Sequence, residues 1–200
     1  MKIGVLGGTF DPVHLGHLII AEEVRSKLEL AEVIFVPAGE PWLKPHRSIS
    51  AAADRLEMLH RALQSNPRFR VSTVDIDRPG PSYSVDTIAD LRNQMGAEAE
   101  FYFIIGPDAL AGLPNWREPT RLAEICQIVG VTRPGYRDFD LSSLEPSIPQ
   151  ASRRIMLLDV PQIGISSSEI RERVAQGLPI RYQVPEPVEE YIRQQELYVR

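Results

Sequence analysis

Apolar residues fall into two kinds of stretch that alternate along the chain. Short, nearly continuous runs rich in β-branched residues read as buried strands: KIGVL from residue 2, EVIFVPAG from 32, FRVSTVDI from 69, EFYFIIG from 100 and RRIMLLDV from 153. Between them, apolar positions recur at helical spacing. LIIAEEVRSKL places Leu18, Ala21, Val24 and Leu28 on one face. AAADRLEMLHRAL, SVDTIADLRNQM, SSSEIRERVAQG and the tail PVEEYIRQQELYV read as further helices. Ser84 is a fair N-cap for the third, with Asp86 in its first turn, and Gly177 closes the fourth. A short helical piece follows from Asp108, and TRLAEICQIVGVTRP reads as a helix running into a strand.

Strands that alternate with helices, and are apolar throughout, predict an α/β fold with a parallel sheet covered on both faces. Two hundred residues suit one domain with a small appendage. The division expected is a core over 1–160 and a C-terminal segment over 161–200, part of the same domain. No internal repeat or low-complexity tract interrupts the pattern. The proline-bearing stretch 133–150 reads as a loop or lid.

Composition narrows the function classes. The net charge is −5, from 22 basic and 27 acidic residues, which argues against a nucleic-acid coat. A local basic pocket for a small phosphate remains compatible with it. The single cysteine, Cys126, lies in the apolar run ICQIVGV and reads as buried packing; one thiol makes no internal disulfide, so a reducing cytoplasm is the expected setting. The start, MKIGVLGG, is too short an apolar run for a signal peptide, and nothing approaches the roughly 20 apolar residues of a membrane span.

The chemistry concentrates in GGTFDPVHLGH, residues 7–17, directly after the first strand. In an open parallel sheet, ligands bind where strands end and helices begin. There a helix start offers unpaired N–H groups and partial positive charge to an anion. Gly7 and Gly8 allow the backbone a close approach to phosphate. The Walker A and GxGxxG patterns are both absent, so dinucleotide binding of the usual kind is not supported. His14 and His17, three residues apart, point to one side of a helical turn, and Gly16 between them adds no side chain to block a ligand. Two imidazoles over an anion site can stabilise charge developing in phosphoryl transfer. A metal site would want a third ligand, and none stands at metal spacing.

These residues resemble the signature of the HxGH nucleotidyltransferases, a Rossmann-like superfamily. The late segment ISSSEIR, residues 165–171, resembles that superfamily's second phosphate motif. SYSVDT (82–87), IIGPDAL (104–110), NW (115–116) and the ending VPEPVEEYIRQQELY resemble the nicotinate mononucleotide adenylyltransferases of bacteria, in order and over nearly the whole chain. The resemblance implies a Rossmann-like, doubly wound parallel sheet with a small C-terminal helical subdomain. It implies transfer of the adenylyl group of ATP to nicotinate mononucleotide, releasing pyrophosphate, with Mg2+ as cofactor carried by the ATP phosphates. By resemblance, His14, His17 and Arg171 are catalytic. Gly7, Gly8, Thr9, Phe10, Gly106, Asp108, Ile165, Ser166 and Ser167 join His17 and Arg171 in holding ATP. Lys44, Asp86, Thr87 and Trp116 meet the mononucleotide, Trp116 by stacking on the pyridine ring.

The residue types agree with those roles. Serines at a helix start cradle anions, an arginine fork matches phosphate oxygens, and an aromatic face suits an electron-poor ring. Asp108 after Gly106 at a strand end suits a ribose hydroxyl. His60 reads as a helix-face residue. One departure is PWLKPHR, where many family members carry Pro-Pro-His-Lys; it leaves the roles of Lys44 and His46 open. Pro107 stiffens its turn, and Ser168 keeps the hydroxyl of the usual threonine. Other acceptors stay in view (nicotinamide mononucleotide, phosphopantetheine, an alcohol phosphate with CTP), as does a non-catalytic nucleotide-binding module. Neither nucleic acid nor membrane is expected as a partner, and a homo-oligomer is left open.

Overall fold

The computed structural model describes residues 1–41, 49–96, 98–132, 139–161 and 163–199. Six strands form one sheet: β1 (Lys2–Gly8), β2 (Glu32–Pro37), β3 (Phe69–Val71), β4 (Glu100–Ile105), β5 (Gln127–Thr132) and β6 (Ile155–Asp159). Their order is β3-β2-β1-β4-β5-β6, and every neighbouring pair is parallel. The chain winds outward from β1 through β2 to β3, then returns to the other side of β1 as β4. The Rossmann-like reading is therefore correct, and the reversal of winding falls between β1 and β4, where such sheets open a crevice.

Alternate residues of each strand supply two cores, one per face. Ile3 and Val5 of β1, with Phe101 and Phe103 of β4, pack under α4 (Ser84–Met95), α5 (Pro107–Gly112) and α6 (Pro119–Ile125) through Ile88, Leu91, Leu110 and Leu122, joined by Leu113 just after α5. Leu6, Phe35, Ile104 and Val131 face the other way. They meet α1 (Leu15–Lys27), α2 (Ala52–Leu63), α8 (Ser167–Ala175) and α9 (Glu186–Gln194) through Val24, Met58, Ile170, Val188 and Ile192. The C-terminal helices thus share the core of the first two helices rather than forming one of their own. Tyr191 of α9 also donates to Asp54 of α2 at 2.8 Å.

Three local expectations change. FRVSTVDI is not one strand: after Val71 the chain turns into α3 (Val74–Asp77). β3 is an edge strand with a single partner, and the Thr73 hydroxyl donates to the Asp77 carboxylate at 2.6 Å, closing a helical turn that β-propensity alone would not choose. Ser84 is the first residue of α4 and Tyr83 its N-cap. The stretch 139–150 is not a free loop: Leu144 and Ile148 are buried in the core ahead of α7 (Ala151–Arg154). No described helix is long and apolar enough to cross a membrane.

Candidate active site

The carboxyl ends of β1 and β4 open into a cavity of about 730 Å³. Gly7, Gly8, Thr9, His14, His17, Gly106, Asp108, Trp116, Ile165 and Ser166 line it, with Thr87 on the far wall. A second cavity of about 440 Å³ continues from it past Gly8, Thr9 and His17 to Phe10, Ser167 and Arg171. Both volumes fall within the range of small-molecule sites.

The turn from β1 to α1 is tightly bolted. Phe10 takes a left-handed φ of 51° although it is a bulky residue, a conformation that needs surrounding support. Its buried ring meets His17 edge-on at 5.0 Å, and a Cβ on Gly8 would press that ring at 3.0 Å. Beneath the turn lies Arg55 of α2, 2% exposed. Its guanidinium donates to Thr9 O at 2.9 Å, Ala38 O at 2.8 Å and Ser50 O at 3.1 Å. One side chain therefore ties the turn to the ends of two other segments.

The two histidines differ. His14 caps α1 and is 7% exposed, and its ring stacks on that of His17 at 3.7 Å. Burial pushes its pKa down to about 4, so the imidazole is neutral near pH 7. His14 Nδ1 is buried and has no hydrogen-bond partner among the described residues. A Cβ on Gly16 would lie 3.0 Å from that atom, so the missing side chain makes room for the His14 ring as well as for a ligand. The His17 ring is fixed by the backbone N–H of His14, which donates to its Nδ1 at 3.2 Å.

The ISSSEIR segment reaches the same turn from 155 residues away. Ser166 caps α8, its hydroxyl accepting from Glu169 N at 3.1 Å. The Ser167 hydroxyl donates to Pro12 O at 2.9 Å, and Arg171 Nη1 donates to Asp11 O at 2.5 Å. These side chains are thus partly engaged in joining the two segments. What α8 presents to a ligand is chiefly its first N–H groups, which lack intrahelical partners, and the remaining donors of Arg171.

At the other end of the larger cavity, Trp116 is half-buried and meets Phe103 edge-on at 6.2 Å, leaving a face toward the space. Thr87 is 2% exposed, and its hydroxyl is committed to Asp75 Oδ1 at 2.7 Å. Burial raises the Asp75 pKa, partly offset by Thr87 and by Arg78, whose Nη2 donates to Asp75 Oδ1 at 2.6 Å. That ion pair offsets the one buried carboxylate on this wall. Asp86 lies in the first turn of α4, outside the lining of both cavities. Lys44 and His46 lie outside the described residues. Cys126 is half-buried, its thiol donating to Leu122 O at 3.3 Å and its pKa pushed up to about 12 by desolvation, as packing rather than reactivity requires.

Sequence reasoning did not assign to the site Asp75, Ser82 and Ser84 on the wall of the larger cavity, Asp11 on the wall of the smaller one, or Arg55 and Tyr198 beneath it. Asp75 went unseen because its segment read as strand. Among the described residues, no three His, Cys, Asp or Glu side chains cluster to hold a metal ion.

The profile of the Cytidylyltransferase-like family matches residues 5–173. The chain is 48% identical to the probable nicotinate-nucleotide adenylyltransferase of Acidothermus cellulolyticus, across all of this chain and 95% of that protein. It is 49% identical to the protein of the same description from Roseiflexus sp. (strain RS-1), across 98% and 97% of the two chains. The fold is similar to that of the Plasmodium falciparum nicotinic acid mononucleotide adenylyltransferase solved with NaAD. The TM-score is 0.77 at 19% identity, covering 98% of this chain and 97% of that one.

Proposed function

The chain belongs to the Cytidylyltransferase-like family and, within it, to the nicotinate-nucleotide adenylyltransferases; from that premise we propose that its two cavities carry adenylyl transfer from Mg·ATP to nicotinate mononucleotide. The observation that carries the reading is the pair of contacts from Ser167 to Pro12 and from Arg171 to Asp11, which bring the glycine-histidine turn and the α8 start together, as a shared phosphate site requires.

In this reading the triphosphate occupies the smaller cavity, against the first amides of α8, Arg171 and the histidine pair. Adenosine runs past Gly106 and Asp108, and the mononucleotide fills the larger cavity with its pyridine ring on Trp116. Mg2+ arrives with ATP as part of the substrate, held by the phosphate oxygens. The start of α4, where Ser84 and Thr87 line the wall, offers its dipole and amides to an anionic ring substituent. The Arg78–Asp75 pair lessens the repulsion such a substituent would meet.

A phosphate oxygen of the mononucleotide attacks the α-phosphorus of ATP in line. The new P–O bond forms as the bond from the α-phosphorus to the bridging oxygen breaks, and pyrophosphate leaves with that electron pair. A phosphate monoester is already largely ionised at neutral pH, its second pKa being about 6, so no general base is required. A neutral His14 is consistent with this: its part is donation of a hydrogen bond, not removal of a proton. His17, its ring held by the His14 amide, contributes a donor fixed before the reaction begins, and Arg171 adds a guanidinium whose remaining donors turn to the phosphate oxygens.

The test is pyrophosphate release from ATP and Mg2+ with the acid or the amide mononucleotide as acceptor. The proposal expects turnover with the acid and a markedly lower kcat/KM with the amide. No release with either would defeat it, and equal rates would remove the role given to the α4 start.

A further inference from the structure

The turn that carries Tyr198 reaches back beneath the phosphate site. Tyr198 follows α9 with a left-handed φ of 66° and packs its ring into the core shared by α1, α2 and α8. Its hydroxyl donates to Asp11 Oδ1 at 2.7 Å, across 187 residues of sequence. Asp11 is 3% exposed. Its other oxygen, Oδ2, accepts a long bond from Ser50 N at 3.4 Å and lies 3.9 Å from Arg171 Nη1. Arg171 donates instead to the Asp11 backbone carbonyl. The carboxylate is thus held just short of the arginine that faces the smaller cavity.

We infer that Tyr198 is a positioning residue for ATP: by engaging the Asp11 carboxylate it keeps Arg171 available to the triphosphate. The inference rests on the adenylyl-transfer reading and deepens it. A carboxylate buried this far needs donors on both oxygens. Without the tyrosine hydroxyl, Oδ1 is left unsatisfied; Arg55 is already committed to three carbonyls, and the Arg171 guanidinium stands 3.9 Å from Oδ2. A small rotation of Asp11 or Arg171 closes the 3.9 Å gap into a full ion pair. Such a pair in a partly buried setting competes directly with phosphate for the same guanidinium.

Four proteins test this: wild type, Tyr198→Phe, Asp11→Asn and the double variant. Each is measured for KM of Mg·ATP and of the mononucleotide, for Kd of a non-hydrolysable ATP analogue with Mg2+, and for melting temperature. Tyr198→Phe is expected to weaken ATP, in KM and in analogue Kd, by about tenfold, the scale of one charge-assisted contact diverted. The mononucleotide KM should stay close to wild type. In the Asp11→Asn background the same change should have little further effect on ATP, because a neutral amide has no ion pair to form with Arg171. A Tyr198→Phe protein that melts earlier but keeps wild-type analogue Kd overturns the inference, as does an equal loss of ATP affinity in the Asp11→Asn background. Wild-type protein that binds the analogue yet releases no pyrophosphate refutes the reaction instead, and the Kd comparison still decides the role of Tyr198.

Discussion

Arg55→Met is the sharpest perturbation of the frame that holds the phosphate turn. Methionine keeps most of the aliphatic stem and its packing but removes all three bonds to Thr9 O, Ala38 O and Ser50 O. Those carbonyls would be left without a donor, each costing about 1–3 kcal/mol. Asp11, 3% exposed, would lose a compensating positive charge. Against this stands the desolvation of the guanidinium itself, which lowers the Arg55 pKa and which the variant no longer bears. Removing one partner from a buried ionic cluster has a net cost of about 3–5 kcal/mol. At about 2–4 °C per kcal/mol for a domain of this size, the melting temperature should fall by about 6–20 °C. Urea unfolding followed by circular dichroism measures the change directly. A loss under about 1 kcal/mol would show that the three carbonyls find other donors and that Arg55 is not the bolt described here.

Other consequences follow from the same geometry. His14 is held at a pKa of about 4 against an ordinary 6.5, so the unfolded chain takes up its proton first. Its contribution to stability is full above about pH 6.5 and is lost as pH falls toward 4, by about 3 kcal/mol in all, and His14→Asn should flatten that part of the stability–pH curve. Gly39→Ala would set a Cβ 2.3 Å from the Asp75 carbonyl oxygen, a clash with backbone; a loss of about 1–3 kcal/mol in urea unfolding, with a raised KM for the mononucleotide, is expected. Trp116→Ala should raise the mononucleotide KM by about tenfold and spare that for ATP; a change in the ATP value instead would move the ring out of the pyridine subsite.

The strands, the helices and the β1–α1 turn were legible because each rests on local chemistry. Apolar runs of strand length, helical spacing from Leu18 and the serine cap before Glu169 are all readable within a few residues. The parallel, doubly wound sheet and the meeting of the β1 turn with α8 followed from that alternation and from the family resemblance. Less legible was anything decided by contacts distant in sequence. The tail through Tyr198 reads as one final helix, whereas α9 ends at Gln194 and the fold places Tyr198 against Asp11. Nothing local marks Arg55, on which three carbonyls converge only in the fold. His14 and His17 read as an equivalent pair, whereas burial separates them. The turn after Val71 escaped because edge-strand pairing, not propensity, sets where β3 stops.

A crystal grown with Mg2+ and a non-hydrolysable ATP analogue puts the shared phosphate site to its plainest trial. The triphosphate should bridge His17 and the Ser166–Ser167 start of α8, with Arg171 turned onto a phosphate oxygen. A triphosphate touching only one of those two segments, or lodged outside the cavities they share, would contradict the account.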